Sequence, residues 1–164
     1  MIALLPVLLT TGWVALLVAA PVLPGLAAAV VYGVGSFICH QLPERSFHFA
    51  GFQLPVCARC LGIYIGVSAG VAYVWMQAAG RRMAPALRPR TARGLAALAA
   101  TPTLLTVALE ATGVWSPSNL TRAIAGLPLG ALVGLVVMSA LATLHYDECV
   151  PPRPTAPKPP QRSI

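Results

Sequence analysis

The chain has 164 residues, of which 57% are hydrophobic and 9% charged, with a mean hydropathy of +0.77. That composition excludes a soluble globular domain. The formal net charge of +7 does not make it a nucleic-acid binder, because the basic residues sit mostly between apolar segments and on the C-terminal tail, where membrane topology and anionic head groups account for them.

The first 38 residues carry no charged side chain. They lack a basic leading region and a convincing small-residue cleavage site, so they are expected to be retained and not removed as a signal peptide. Pro21 and Pro24-Gly25 break the stretch, which predicts one span from Ile2 to about Ala20 and a shorter helix from Leu26 to Ile38 at or dipping into the interface. A second short span is the alternative. Leu61 to Ala79, Gly94 to Gly113 and Ala123 to Leu144 each approach the roughly 20 residues that a helix needs to cross a bilayer. The expected fold is an all-α membrane bundle of four transmembrane helices, five if residues 26–38 cross, plus a short interfacial helix. It forms a single domain over 1–144, followed by a proline-rich basic tail over 145–164.

Orientation follows from the arginines. Arg81, Arg82, Arg88, Arg90 and Arg93 crowd the 80–93 connector, and Arg153, Lys158 and Arg162 lie on the tail two crossings later. Both belong on the cytoplasmic side of the cell membrane, which puts the 39–60 loop on the outer face. The same parity carries Glu110, near the end of its span, and Ser116, Asn119 and Arg122 in the next connector to the outer side. A carboxylate inside an apolar span has a high insertion cost and usually has a partner. Glu110 is expected either to pair with Arg122 or Arg59, or to face the cysteines as a ligand or general base.

Two small-residue ladders, Gly62/Gly66/Gly70 and Gly126/Gly130/Gly134, predict close helix contact. Each follows an arginine, Arg59 or Arg122, so a weak internal repeat is conceivable. The ladders either pack on each other or join two copies as a homodimer, with the lipid bilayer as the other partner.

The chemistry is concentrated in the outer loop, where Cys39-His40 is followed by Cys57-Ala58-Arg59-Cys60. Pro43 and Pro55 stop helix at its two ends, placing Cys39 at the end of one apolar segment and the CxxC pair at the start of another. A helix N-terminus and Arg59 both favour thiolate, the form that binds metal and attacks disulfides. Cys39, His40, Cys57 and Cys60 suit a tetrahedral site for zinc or a similar transition metal. Adjacent ligation by Cys39 and His40 is awkward, so His48 or water is the other choice for the fourth position. A disulfide exchanger using Cys57 and Cys60 is the rival reading, although the Thr112–Arg122 connector has no second cysteine pair to relay electrons. A structural Cys57 disulfide and a non-catalytic assembly role are further alternatives. Leu61 after Cys60, in place of histidine, argues against haem attachment.

If the metal is catalytic, Arg45, Arg59 and Arg122 would clamp an anionic lipid head group, Glu110 would act as base with Arg122 beside it, and the metal would activate water. Ser46, Asn119 and Tyr64 belong to the same outer set, Tyr64 lying one turn below Cys60. Interfacial anchoring is the plainer role for each arginine and for Tyr64. His145, Asp147, Glu148 and Cys149, on the other side of the membrane, are expected to form a solvated helix end and no metal site. The tail from Pro151 to Pro160 is expected to be extended.

Cys39-His40-Gln41-Leu42-Pro43-Glu44-Arg45-Ser46-Phe47, then Gly51, then Leu54-Pro55-Val56-Cys57-Ala58-Arg59-Cys60-Leu61-Gly62-Ile63-Tyr64, resembles the domain of unknown function 2085 family of small membrane proteins. Ser118-Asn119-Leu120-Thr121-Arg122 with Gly126 resembles its second half, so the likeness runs over about residues 30–140. It implies the membrane class and directs attention to the same residues, with no activity attached. Leu61 stands where the family pattern has threonine, so no hydroxyl is available there.

Overall fold

A computed structural model describes residues 4–80 and 89–149. Helix α1 runs from Leu4 to Ala19 and ends in a 3-10 turn, Ala20–Val22, at Pro21. Pro24 then caps the start of α2, Gly25–Ile38. The later helices are α3, Ala58–Ala79, α4, Pro89–Ala111, and α5, Asn119–Cys149. Four helices are long and apolar enough to cross a membrane, Leu4–Val22, Ala58–Ala79, Thr91–Ala111 and Asn119–Ala142, while Gly25–Ile38 is shorter. This is the all-α membrane bundle that apolar length implies. The helices α4 and α5 begin about one turn earlier than the hydropathy pattern marks, because polar residues at their starts still take helical backbone. Pro102 and Pro128 lie inside α4 and α5, where a bundle tolerates them.

The centre of the bundle is the α3–α5 pair, with α1 packed on α3 and α4 on α5. The two glycine ladders make this pair. A Cβ on Gly62, Gly66 or Gly70 would collide with the backbone of Ala123, Leu127 or Ala131, and one on Gly126, Gly130 or Gly134 with that of Arg59, Ile63 or Val67. Each ladder thus lets the other helix approach backbone to backbone. All six glycines are buried within one chain, so the alternative of a homodimer through either ladder has no free glycine face to use. Elsewhere the outer surfaces of the helices are apolar, with Leu8, Leu9, Leu98, Leu104, Val136 and Val137 exposed, as lipid contact requires.

Between α2 and α3 the chain makes a 3-10 turn at Pro43–Arg45 and a small hairpin, β1 His48–Phe49 paired antiparallel with β2 Phe52–Gln53. Its two-residue turn, Ala50-Gly51, has positive φ at both positions (51° and 84°), the conformation that such tight hairpins demand. The Arg81–Arg88 part of the connector, the side chains of Pro89 and Arg90, and the tail from Val150 lie outside the described residues, as do the side chains of His145, Asp147, Glu148 and Cys149.

Candidate metal centre and arginine cluster

The loop between α2 and α3 is fastened by polar side chains whose roles are invisible in a linear pattern. Gln41, held at a positive φ of 51°, donates from Nε2 to the carbonyl oxygens of Tyr32 and Pro55, both at 2.8 Å. In return, Gln53 Nε2 donates to the Gln41 carbonyl at 2.9 Å, and the Tyr32 hydroxyl donates to the Gln53 carbonyl. The loop also lies directly on α2, because Gly35 lacks a Cβ where the Pro55 carbonyl rests. Gly35→Ala is therefore expected to displace the loop at a cost of about 1–3 kcal/mol. The displacement would be read as a lower unfolding temperature together with faster maleimide labelling of the buried Cys39.

This fastening brings the sulfurs together. Cys39 follows the last turn of α2, its N–H donating to the Gly35 carbonyl at 2.9 Å, and Cys57 is the residue before α3. The Cys57 backbone N–H donates to Cys39 Sγ at 3.1 Å. The Sγ atoms of Cys39, Cys57 and Cys60 lie within 4.8 Å of one another, and all three cysteines are free. They sit against an apolar cluster that includes Leu17, Ala20, Val31, Leu54, Val56 and Leu61, with Tyr64 and Trp13 at its edge. The Tyr64 and Trp13 rings meet edge to face, 6.2 Å apart. A hydrogen bond with the Cys60 thiol pulls the Cys57 thiol below the ordinary thiol range, opposed by burial and helped by Cys39.

Three thiolates around a tetrahedral zinc at about 2.3 Å stand roughly 3.8 Å apart, so these sulfurs fit such an ion after a small contraction. His40 is exposed beside Cys39, and His48 is exposed on β1; neither belongs to the group of converging ligand atoms. The structure therefore brings together three of the four expected ligands, Cys39, Cys57 and Cys60.

The other polar residues form a second cluster at the same end of the bundle. Successive residues on a helix are about 100° apart, so Arg59 projects from a different face of α3 than Cys60 does. It reaches Glu110 on α4, Nη2 to Oε2 at 3.2 Å, with Thr106 Oγ1 at 3.5 Å. Arg122 on α5 contacts Glu110 Oε1 at 2.7 Å, and Arg45 Nε contacts the same oxygen at 3.1 Å. Asn119 accepts from Arg122 Nη1 at 2.9 Å and donates to the Ser46 carbonyl at 2.9 Å, while buried Ser46 donates to the Leu42 carbonyl at 2.9 Å. Thus Arg45, Ser46, Arg59, Glu110, Asn119 and Arg122 come together, and both Glu110 oxygens are taken by guanidinium groups.

Residues 39–136 match the model of a family described as predicted membrane protein (DUF2085). The chain is similar to an uncharacterized protein of Methanothermobacter thermautotrophicus, 35% identical over 103 residues that cover 63% of this chain and 85% of the relative. It is also similar to an uncharacterized protein of Methanocaldococcus jannaschii, 56% identical over 41 residues, 25% of this chain and 26% of the relative. No solved structure matches it. The matched region takes in every residue of both clusters, from Cys39 to Arg122, and it spans more than half of the sequence: the chain belongs to the DUF2085 family of membrane proteins.

Proposed function

We propose that this protein holds a zinc-type metal ion on Cys39, Cys57 and Cys60 at the outer face of the membrane, where lipid head groups are the molecules within reach of the open fourth position. The convergence of three sulfurs from two chain segments carries the reading. Any disulfide among three thiols strands one of them, whereas a metal uses all three. The charge distribution supports the sidedness. Eight of the eleven basic residues, Arg81, Arg82, Arg88, Arg90, Arg93, Arg153, Lys158 and Arg162, belong to the connector and tail assigned to the cytoplasm. The remaining Arg45, Arg59 and Arg122 lie at the thiol end, gathered on one carboxylate.

A second reading, thiol-disulfide exchange, is favoured by the lowered Cys57 thiol. In that chemistry Cys57 thiolate attacks a partner disulfide, Cys60 resolves the mixed disulfide, and two electrons leave the protein dithiol to release two partner thiols. Elemental analysis of purified protein separates the readings. About one metal ion per chain, lost in Cys57→Ser and Cys60→Ser, is expected for the metal centre. A metal-free protein whose Cys57/Cys60 pair cycles reversibly between dithiol and disulfide overturns it in favour of exchange. Neither property, with Cys39→Ser behaving as wild type, leaves a structural or assembly role.

A further inference from the structure

The geometry of the second cluster points to a site of its own: we propose that Arg45, Arg59 and Arg122, gathered on Glu110, bind a doubly charged phosphate group at the head-group level. Three guanidinium groups share one carboxylate, so the cluster carries two positive charges in excess. Glu44, the neighbour of Arg45, is exposed and forms no ion pair with these arginines among the described residues. One of these two charges is buried, since the side chains of Arg122 and Glu110 are 8% and 9% exposed and that of Arg59 is 16% exposed, while the other is carried by the more exposed Arg45. Moreover, the Nε atoms of Arg59 and Arg122 are buried without a hydrogen-bond partner among the described residues. A buried donor left unpaired costs free energy, and an incoming acceptor removes that cost.

The ligand class follows from charge and shape. A phosphate monoester carries about 1.5 to 2 negative charges at neutral pH, which matches the excess, and guanidinium groups pair with its oxygens in a planar, bidentate manner. The donors are already in place, because Asn119 fixes Arg122 and Glu110 holds all three arginine heads. Arg122 lies in the first turn of α5, which has no acidic residue of its own to offset the positive end of the helix. Arg45, with its side chain 42% exposed, is the side by which the ligand enters. Nothing in this site uses the thiols, so it stands whether or not they hold a metal.

The test uses the full-length protein in nanodiscs. In neutral phosphatidylcholine discs, inorganic phosphate is titrated and followed by calorimetry. In discs doped with phosphatidic acid, the lipid retained by the protein is read by native mass spectrometry. Saturable phosphate binding that weakens about tenfold or more in Arg45→Gln supports a free phosphate ligand. Retention of phosphatidic acid by wild type but not by Arg45→Gln supports a lipid phosphate. Arg45→Gln alters the most exposed of the three and is the variant expected to stay folded. Failure to bind either ligand, or equal binding by wild type and folded Arg45→Gln, overturns the proposal. Metal content of the same samples reports on the thiols separately, so failure here is distinguishable from failure of the metal reading.

Discussion

Glu110→Ala is expected to be the most destabilising single substitution at the thiol end of the bundle. Removing one partner of a buried ion pair costs about 3–5 kcal/mol, because the other charge is left without compensation. Here a single truncation leaves Arg59 and Arg122, both largely buried, facing each other and Arg45 with no carboxylate between them. Against a net stability of about 5–15 kcal/mol for a typical fold, that loss is a large fraction of the total. The arginines are not equivalent to the glutamate. Arg122→Ala still leaves Glu110 two guanidinium partners, and Arg45→Ala removes a half-exposed contact that water and ions already screen. The expected order of destabilisation is therefore Glu110→Ala, then Arg122→Ala, then Arg45→Ala, measured by thermal unfolding in detergent and by the yield of monodisperse protein. A Glu110→Ala protein that melts with wild type would show that the cluster contributes little to the fold.

Much of this arrangement is legible in the sequence. The spans follow from apolar length, and the rule that consecutive spans alternate direction puts Glu110 and Arg122 at the same end as Cys57. The glycine ladders announce a close helix contact, although only the packed chain shows that each ladder serves the other. The arginine cluster is half legible: Arg59 and Arg122 are natural partners for a carboxylate near a span end, but Arg45 arrives from the loop as a third.

The loop itself resists linear reading. Gln41 in a left-handed conformation and Gly35 under the Pro55 carbonyl have meaning only once distant parts of the chain are docked, and no periodicity encodes that. The same limit applies to His40. Its place beside Cys39 in the sequence makes it an obvious ligand, yet the extended backbone at Cys39 turns consecutive side chains apart. Cys39 is buried as a result, and His40 is exposed.

Metal removal should weaken the fold, because Cys39 ends α2 while Cys57 and Cys60 begin α3, and an ion shared by all three would tie those segments together. A ligand that binds only the folded state at 100 times its dissociation constant adds about 2.7 kcal/mol of stability. In a chain of this length that corresponds to a fall of roughly 5–10 °C in unfolding temperature when the metal is stripped. The expected result is that a chelator lowers the unfolding temperature of wild type and leaves that of Cys57→Ser unchanged, since the variant has no metal to lose. A disulfide would respond in the opposite way: a phosphine reductant would lower the unfolding temperature and a chelator would not. The hydrogen bonds made by Gln41, Gln53 and Tyr32 hold the loop in either case, so α2 should remain docked and the effect of stripping should be partial. A chelator that strips the ion from wild type yet leaves its unfolding temperature unchanged would place that ion away from the three sulfurs.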